Sequence, residues 1–350
     1  MPSAPPALAA PTVPDPMEAP PIRWGVLAPG GIANVFADAV HEGTRSRVVA
    51  VGSRSAQRAE DFAGRHGVER AFGSYEDLVA DPDVDAVYVA SPHSEHHEHA
   101  LLALRAGKPV LVEKAFTRNL HEAEEVLSTA EDAGLLVAEA MWSRYLPHYD
   151  VIRRTVEAGT LGDVVLVDAD HGQLLWPDGP ARLSQPELAG GALLDLGVYP
   201  VSFADHVLGG LDAVRAGGTL TALGVDATTT IEARGPAGGL AHLWCSMAAA
   251  TSCPARVVGT RARLEVVGGR FYDVRSGVRL VGPDESVLDE FVPSVTTHGF
   301  RFEAAEVARA LAAGRLETWS MPWAATRRVM AAMDEVRRQV GVVYPGEGRA

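Results

Sequence analysis

The alternation of short apolar runs with helical stretches between residues 22 and 138 constrains the fold more than any other feature of this chain. Each apolar run is nearly continuous, as expected for a strand that is buried on both faces. The predicted strands are residues 23–27, 47–51, 83–90, 108–112 and 135–138, and helical stretches are predicted up to about residue 40 and over 56–66, 95–106 and 120–133. Strands that alternate with helices need crossover connections, so the sequence predicts an α/β fold with a mostly parallel sheet.

The pattern changes after about residue 143, where strand-like segments with short glycine turns dominate. The predicted elements are a helix over residues 149–158, a strand over 162–169, a helix that begins near Gly190, several strands over 213–281, and helices over 301–313 and 321–340. Consecutive strands joined by short turns are typical of an antiparallel meander. We therefore expect two domains, a doubly wound domain over residues 22–143 and an α+β domain over residues 144–350.

The first 21 residues have a different composition, with eight prolines, five alanines and neither Lys nor Arg. Proline removes backbone donors, so we expect this Pro/Ala-rich leader to be disordered. A secretory signal is not expected, because the leader has no basic start and no apolar centre. The sequence leaves open whether translation starts at Met1 or at Met17.

Charge and cysteine content exclude several classes of function. The formal net charge is -14, whereas a sequence-independent nucleic-acid binder needs a basic face. The stretch 235–255 contains no Asp, Glu, Lys or Arg, but Gly, Pro, Ser and Thr interrupt it, so we do not expect it to span a membrane. Cys245 and Cys253 form no CxxC pair, which argues against a disulfide framework or a cysteine-rich zinc site and favours a reducing cytoplasm.

The turn after the first predicted strand is rich in small residues. Its sequence is A-P-G-G-I-A, and the residues expected to approach a dinucleotide are Ala28, Gly30, Gly31, Ile32 and Ala33. Small residues let the backbone approach a pyrophosphate, and the helix that follows supplies N–H groups. By itself such a turn is a weak signal, but its place in the first βαβ unit favours dinucleotide binding.

The end of the second strand indicates which dinucleotide is bound. NAD-binding folds usually carry an acidic residue there, whereas this chain has Ser53 and Arg54, with Arg58 one turn further on. A guanidinium attracts the 2′-phosphate that a carboxylate would repel. We therefore expect NADP, with NAD as the alternative; Arg54 as a solvated surface charge is the other interpretation.

Three residues could move a proton to or from an alcohol. Glu113 and Lys114 follow a parallel strand, at the edge of the sheet where ligands of α/β proteins bind. Asp195 and Tyr199 are four residues apart in a predicted helix and would project from one face. A lysine there could hydrogen-bond a substrate hydroxyl or favour the ionised form of a neighbouring acid. Spacing alone favours a structural role, with Asp195 as an acid near the helix N-terminus and Tyr199 as a core tyrosine.

Four histidines lie close together but do not indicate a metal site. His93, His96, His97 and His99 do not converge on one point of a helix, and an H-E-x-x-H motif is absent. We interpret the run as a polar helix start with no metal. We then expect Ser91, Pro92 and His93 to lie beside the cofactor. The other histidines are expected to be exposed to solvent. His171 and Trp176 either face a substrate pocket or belong to the core or its rim.

Together these motifs resemble the Gfo/Idh/MocA oxidoreductase superfamily over nearly all of residues 22–346. The motifs that carry the resemblance are W-G-V-L-A-P-G-G-I-A, S-R-S, S-P-H-S-E-H-H-E-H-A, G-K-P-V-L-V-E-K-A-F-T, E-A-M-W-S-R and G-G-A-L-L-D-L-G-V-Y-P. The E-A-M-W-S-R and D-L-G-V-Y-P motifs are similar to the branch of dimeric dihydrodiol dehydrogenases and NADP-dependent D-xylose dehydrogenases. The resemblance implies a Rossmann domain, followed by a domain with a large open sheet that often serves for dimerisation.

The resemblance also implies roles for individual residues. Lys114 and Tyr199 would handle the proton with support from Asp195, and Trp142 would line the substrate pocket. The expected activity is transfer of a hydride between NADP and a sugar, polyol or trans-diol, by a homodimer. Ala28 replaces the first glycine of the phosphate turn, and Ala115 replaces a proline that would restrict the backbone beside Lys114. Two alternatives stay open: a non-catalytic NADP-binding regulator or scaffold, and a sugar-converting relative that retains its cofactor.

Overall fold

The computed structural model describes residues 6–347, and within that range the chain forms two compact units. The parallel-sheet unit consists of residues 14–145 and 298–327. The mixed-sheet unit consists of the described residues of segments 1–13, 146–297 and 328–350. Each unit has its own sheet, and each is described by itself below.

As far as residue 140, the order of strands and helices follows the predicted alternation, except for an additional strand and helix within residues 70–80 that were not predicted. The strands are β1 (Arg23–Leu27), β2 (Arg47–Gly52), β3 (Arg70–Phe72), β4 (Ala86–Val89), β5 (Val110–Glu113), β6 (Val137–Ala140), β7 (Val164–Gly172), β8 (Asp212–Leu220), β9 (Asp226–Arg234), β10 (Leu240–Ser246), β11 (Ala255–Gly259), β12 (Arg263–Val267), β13 (Gly277–Val281) and β14 (Val287–Phe291). The longer helices are α1 (Gly31–Gly43), α2 (Ala56–His66), α3 (Tyr75–Ala80), α4 (His96–Arg105), α5 (Leu120–Ala133), α6 (Pro147–Glu157), α7 (Val198–Leu208), α8 (Phe300–Ala312) and α9 (Trp323–Val340).

The sheet of the parallel-sheet unit has six parallel strands in the order β3-β2-β1-β4-β5-β6. This is the order of a Rossmann fold, in which ligands bind at the carboxyl ends of the strands. Every residue of β4, β5 and β6 is buried, including Glu113 of β5 and Glu139 of β6. The predicted α/β class is confirmed, and the turns after β1, β2, β4, β5 and β6 lie along one edge of the sheet.

Aromatic rings fix helix α1 on this sheet. The ring of Phe36 stacks on Tyr88 from β4 at a centroid distance of 3.8 Å and meets the edge of Trp24 from β1 at 5.2 Å. All three side chains are fully buried. Since one ring from the helix contacts rings from both central strands, the first turn of α1 is held over the carboxyl end of β1.

The mixed-sheet unit has eight strands in the order β14-β13-β12-β11-β7-β10-β9-β8. Strands β7 and β10 pair in parallel, and the other neighbours pair antiparallel. The predicted large and mostly antiparallel sheet is therefore confirmed. Helix α7 packs against β7 within this unit.

The domain boundaries differ from the expectation in residues 298–327, which belong to the parallel-sheet unit rather than to the second domain. Helix α8 packs on α1, and its apolar side chains, among them Phe300, Ala304 and Val307, complete the core beside that helix. The sequence shows an amphipathic helix near the end of the chain but not the surface that it covers.

The leader also differs from the expectation of disorder for residues 6–21, whereas residues 1–5 lie outside the described range. The backbone N–H groups of Leu8, Ala9 and Thr12 donate to side-chain oxygens of the mixed-sheet unit at 2.6–3.0 Å. Ala19, in the parallel-sheet unit, is 1% exposed. Prolines leave this segment few backbone donors, and side-chain acceptors satisfy several of them.

None of the described helices combines the length and the apolar composition needed to cross a membrane.

Candidate active site

The turn after β1 is built for close approach of a ligand to the backbone. Ala28 has a φ of 68°, a left-handed conformation that usually favours glycine. Helix α1 begins at Gly31 without a side-chain cap, and a Cβ atom added to Gly31 would meet no atom within 4 Å. The predicted residues Ile32 and Ala33 continue this first turn. The start of α1 therefore has space beside Gly31 and no side-chain cap on its N–H groups, as a phosphate site requires.

The turn after β2 presents two cations. Ser53 is buried, and its Oγ accepts the backbone N–H of Ser55 at 3.2 Å. Ser55 in turn caps α2 by accepting the N–H of Arg58. Arg54 and Arg58 are both exposed at this end of the sheet. The pair supplies positive charge at the position where an NAD-binding fold usually carries an acid.

Histidines from the turn after β4 hold the backbone around Lys114. His93 Nε2 lies 3.2 Å from the Lys114 carbonyl oxygen, and His96 Nδ1 lies 2.8 Å from that of Ala115. His96 Nε2 also lies 2.8 Å from the carbonyl oxygen of Ser91, so one ring connects two strand ends. Pro92 precedes His93 in the same turn. The expectation that His96 is solvated is wrong, because its side chain is 1% exposed.

The protonation of His96 reflects two opposing effects. Burial lowers its pKa to about 4, although carbonyl oxygens beside both ring nitrogens favour the charged form. Burial has the larger effect, so the ring is neutral near pH 7. A neutral imidazole donates one hydrogen bond only, and it packs between the two strand ends without adding a buried charge.

Lys114 itself follows β5 and is half-buried. Its N–H donates to Glu113 Oε2 at 3.1 Å, and the Tyr88 hydroxyl donates to Glu113 Oε1. The Lys114–Ala115 peptide bond is cis, and Ala115 is completely buried. Although Ala115 replaces a proline of the resembling family, the backbone on both sides of Lys114 has hydrogen-bond partners.

Trp142 begins a short 3₁₀ turn after β6. Its ring stacks on Phe300 of α8, with centroids 5.1 Å apart and an interplanar angle of 15°. The side chain stays half-buried. This contact orients one face of the indole, within the parallel-sheet unit, against the helix that the sequence analysis had placed in the other domain.

In the mixed-sheet unit, the segment that leads to Tyr199 is π-helical. The π-helical turn spans Leu193–Gly197 and is followed directly by α7. The simple helical spacing that we expected for Asp195 and Tyr199 therefore does not apply, because a π turn has more residues than an α turn. Both side chains are 7% exposed, and Arg182 Nη2 pairs with Asp195 Oδ1 at 3.2 Å.

A buried carboxylate that sequence reasoning missed anchors this π-helical turn. Asp226 Oδ2 accepts the Leu193 N–H at 2.8 Å and the Thr229 hydroxyl at 3.0 Å. A Cβ atom at Gly191, where φ is 118°, would lie 2.3 Å from Asp226 Oδ1, so only glycine fits there. Burial raises the pKa of Asp226 to about 6. No spacing in the sequence connects this aspartate with the glycine segment.

Tyr199 lies in a cluster of aromatic rings that contains one expected and one unexpected partner. His171 of β7, predicted from the sequence, lies 5.1 Å from the Tyr199 ring, and Tyr272 lies 4.7 Å from it. Gln173 Nε2 donates to His171 Nε2 at 2.7 Å and to the Tyr272 hydroxyl at 3.3 Å. Trp176 lies in the loop after β7, where its backbone N–H donates to the Met247 carbonyl oxygen at 2.9 Å. Tyr272 and Gln173 carry no motif that would have identified them.

The histidine run contributes no metal site in the described part of the chain. Residues 6–347 contain no group of three or more His, Cys, Asp or Glu side chains arranged to hold a metal ion. His97 pairs with Glu125 at 2.9 Å, and His99 Nδ1 lies 2.9 Å from the Ser91 hydroxyl.

These features define a class of protein. A Rossmann sheet with a turn of small residues is typical of proteins that bind a dinucleotide. The first unit also carries a lysine at the edge of its sheet, and the second carries a tyrosine in an aromatic cluster. Both are side chains that oxidoreductases use for proton transfer. The family model described as "Oxidoreductase family, NAD-binding Rossmann fold" matches residues 22–141. A second model, the GFO/IDH/MocA C-terminal domain, matches residues 149–265. The chain belongs to the Gfo/Idh/MocA oxidoreductase family, as its motifs indicated.

Characterised relatives match nearly the whole chain. A trans-1,2-dihydrobenzene-1,2-diol dehydrogenase from Danio rerio is 36% identical over 329 residues, which cover 92% of this chain and 98% of the relative. A D-xylose 1-dehydrogenase (NADP(+)) from Hypocrea jecorina is 34% identical, with 93% of each chain covered. The structure of a 3-ketoreductase from Actinomadura kijaniata, in complex with NADP and TDP-benzene, has a TM-score of 0.79 at 29% identity and covers 92% of this chain and 98% of its own.

Proposed function

We propose that this protein transfers a hydride between NADP(H) and a hydroxyl or carbonyl group of a sugar, polyol or trans-diol. The observation that carries the proposal is the fixed backbone of Lys114, which Glu113, His93 and His96 hold at the edge of the Rossmann sheet. Catalysis by a lysine needs a fixed origin for a flexible side chain. The diol and xylose dehydrogenases among the relatives support this substrate class.

The residues at the edge of the sheet fit NADP. The turn of Ala28, Gly30, Gly31, Ile32 and Ala33 would hold the pyrophosphate, because no side chain caps its N–H groups and all of these residues except Ile32 are small. Ser53, Arg54 and Arg58 would hold the 2′-phosphate. Ser91, Pro92, His93, Glu113 and Lys114 would border the rest of the cofactor. The relative from Hypocrea jecorina uses NADP, which agrees with these charges; NAD is the alternative.

Tyr199, Lys114 and Asp195 would handle the proton. When bound, the nicotinamide accepts or donates the hydride. In oxidation the ionised Tyr199 phenolate, which the Lys114 ammonium would stabilise, would accept the proton of the substrate hydroxyl and become the neutral phenol. In reduction the roles reverse. Asp195 would orient this group of side chains, and Trp142, His171 and Trp176 would contact the substrate.

A substrate panel tests this proposal directly. The purified protein is mixed with NADP⁺ or NAD⁺ and with aldoses, polyols and trans-diols, and the absorbance of the reduced nicotinamide is followed. We expect turnover with at least one group of substrates and a preference for NADP⁺. Cofactor binding without turnover of any substrate, in either direction, would favour the non-catalytic alternative. Nicotinamide that copurifies tightly bound would favour the sugar-converting alternative.

The cofactor choice has a separate test in the Arg54→Asp variant. An acid at the end of β2 repels a 2′-phosphate and accepts hydrogen bonds from ribose hydroxyls. We expect the affinity for NADPH to fall by about 10²-fold and the affinity for NADH to stay the same or rise. An unchanged preference for NADPH would contradict the role of Arg54.

We also propose a cytoplasmic homodimer that pairs through the mixed sheet and binds neither nucleic acid nor membranes. Strand β8 is exposed along most of its length, and apolar side chains on the sheet, including Val165, Leu220 and Leu240, are 44–48% exposed. Exposed apolar patches on a sheet often mark an interface. The free thiols of Cys245 and Cys253 agree with a reducing compartment. A molar mass of one chain in light scattering would contradict the dimer. Recovery of the protein outside the cytoplasmic fraction in cell fractionation would contradict the cytoplasmic location.

A further inference from the structure

A row of charged side chains crosses the mixed sheet from one edge strand to the other. Each of the eight strands contributes one residue, and the register places each residue directly opposite the next. In spatial order from β8 to β14, the members are Arg215, Glu232, His242, Asp168, Arg256, Glu265, Arg279 and Glu290. Basic and acidic residues alternate at every step. We refer to these eight residues as the charged row.

The charged row lies on the face of the sheet that points away from the core of this unit. Successive side chains of a strand point to opposite faces, and the neighbours of Asp168 in β7, Val167 and Ala169, are both buried. By contrast, the side chains of His242 and Arg256 are 56% and 55% exposed. The centre of this face is therefore open to a partner.

Ion pairs hold the centre of the charged row in place. Asp168 Oδ1 lies 3.0 Å from His242 Nδ1, and Asp168 Oδ2 lies 2.9 Å from Arg256 Nε. A guanidinium has five N–H donors, and each carboxylate oxygen accepts more than one hydrogen bond. The pairs within the chain therefore orient these groups and leave them able to bond a second partner.

The composition of this face indicates which partner fits it. The charged row contains four acidic and four basic residues, so it has no excess of one sign that would attract a polyanion or a polycation. Two residues along the strands lies an apolar group, in which Leu166 pairs with Leu240 on one side and with Val258 on the other. Apolar groups beside charged ones are typical of protein–protein interfaces. A partner with alternating charges at the same spacing is required, and a second copy of this sheet supplies them.

Symmetry decides whether a second copy attracts or repels. When two such faces pack together, a two-fold axis parallel to the strands reverses the row of one copy against that of the other. Because the row has an even number of positions, the reversal sets every acid opposite a base. The facing pairs are Arg215 with Glu290, Glu232 with Arg279, His242 with Glu265, and Asp168 with Arg256. A two-fold axis along the row would instead set each residue opposite its own copy, with acid against acid, which is unfavourable.

We propose that a second copy of this chain docks on the charged row, about a two-fold axis that runs parallel to the strands between β7 and β11. The inference rests on the homodimer proposed above and adds its orientation and its contacts. Twisted sheets pack at about 30° to each other, so contacts are closest near the axis. The pairs of Asp168 with Arg256 and of His242 with Glu265 therefore contribute most.

The variants His242→Cys and Glu265→Cys test the orientation. Three strand spacings, about 14 Å, separate the two positions within one chain and each position from its own copy in the dimer, whereas the two face each other across sheets about 10 Å apart. After subunit exchange, a short bismaleimide should join an equimolar mixture of the two variants and leave each variant alone unlinked. Cys245 and Cys253 are fully buried and should not react. Glu157→Cys, exposed on α6 of the same unit, is the matched control and should give no cross-link.

Charge reversal at the centre of the row tests complementarity. Arg256→Glu alone sets acid against acid twice per dimer, and Asp168→Arg alone sets base against base. In sedimentation velocity, we expect each variant to raise the dimer dissociation constant by at least about tenfold. A mixture of the two variants sets opposite charges at both contacts, so a mixed dimer should form with an affinity within about threefold of the wild type. A general loss of stability would not be reversed by mixing.

The outcomes separate this orientation from the homodimer itself. A wild type that stays monomeric at every concentration would overturn the homodimer, and this docking mode with it. Cross-linking of each cysteine variant to its own copy would overturn the orientation alone. A stable dimer that neither cross-links in the mixture nor weakens on Arg256→Glu would leave the homodimer standing and overturn the charged row as its interface.

Discussion

The two units hold their functional side chains in different ways. In the parallel-sheet unit, hydrogen bonds fix the main chain beside Lys114, and the long side chain extends from that fixed point. In the mixed-sheet unit, rings of His171 and Tyr272 pack around the Tyr199 ring itself. A lysine tolerates freedom in its methylene chain because an ammonium acts as a compact charge with three donors. A phenol must present one hydroxyl in one direction, so its ring is packed.

The largest expected effect is that of Lys114→Met. Methionine preserves the length and the backbone contacts but removes the ammonium, so we expect kcat to fall by about 10³-fold or more. Binding of NADPH, measured by fluorescence titration, should change by less than about threefold. Lys108→Met is the matched control, because the Lys108 ammonium donates to two backbone carbonyls away from the edge of the sheet. Near-normal turnover of Lys114→Met would refute the role of Lys114.

Tyr199→Phe should have the next largest effect. The phenyl ring keeps the contacts with His171 and Tyr272, so the unit should fold normally while the proton acceptor is lost. We expect kcat to fall by about 10²-fold, with little change in KM. A modest effect confined to KM would show that Tyr199 only binds substrate. The packing around its ring would then serve substrate binding and not proton transfer.

Each unit contains a buried carboxyl group, and these groups should make the free energy of unfolding depend on pH in different ranges. Burial raises the pKa of Glu139, in the parallel-sheet unit, to about 7, although a hydrogen bond from Thr326 and the charge of Arg144 oppose the shift. A group whose pKa is higher in the folded state stabilises the fold below its unfolded pKa, and this contribution is lost as the pH rises through the folded pKa. The stability that Glu139 contributes should therefore fall between about pH 4.5 and pH 7.

The Glu139→Gln variant isolates this contribution, because glutamine is neutral throughout. Relative to the wild type, it should gain at most about 3 kcal/mol of unfolding free energy between pH 4.5 and pH 8 in urea denaturation. Asp226→Asn in the mixed-sheet unit should show its relative gain at lower pH, complete soon after pH 6. Identical pH profiles for the two variants would contradict the different pKa values of these two carboxyls in the folded protein.

Tyr272→Phe should have the smallest effect of this series. Its hydroxyl bonds Gln173 and Arg270 and is not assigned to proton transfer. We expect KM to rise a few-fold and kcat to change by less than about threefold. A loss of kcat as large as that of Tyr199→Phe would move the chemistry from one tyrosine of the cluster to the other.

The carboxyl edge of the parallel sheet could be predicted because each turn there follows directly on a strand that the sequence reveals. Ala28, Arg54, His93 and Lys114 were all located in this way. Strand β3 and helix α3 were not predicted, although Ser74 is a typical cap. The burial of His96 was also missed, since its partners are carbonyl oxygens that any sequence would supply.

The mixed-sheet unit could be predicted only in outline. The glycine segment indicated Asp195 and Tyr199, but the partners of Tyr199 come from β7 and from the loop after β12, far apart in the chain. Asp226, which fixes the π-helical turn, lies more than thirty residues from Leu193. Antiparallel strands bring distant segments together by register, and the register depends on packing that no local pattern records.

Apart from β3 and α3, the sequence by itself determined the alternation of strands and helices in the first unit, the dinucleotide turn and the positive charge after β2, because these depend on local backbone geometry and on residues adjacent to strand ends. Tertiary structure alone decided which groups hold the catalytic candidates, namely the histidines beside Lys114 and the rings around Tyr199. It also placed α8 on α1. Such contacts join residues that are distant in the chain, and their free energy comes from burial and hydrogen bonding that exist only once the chain has folded.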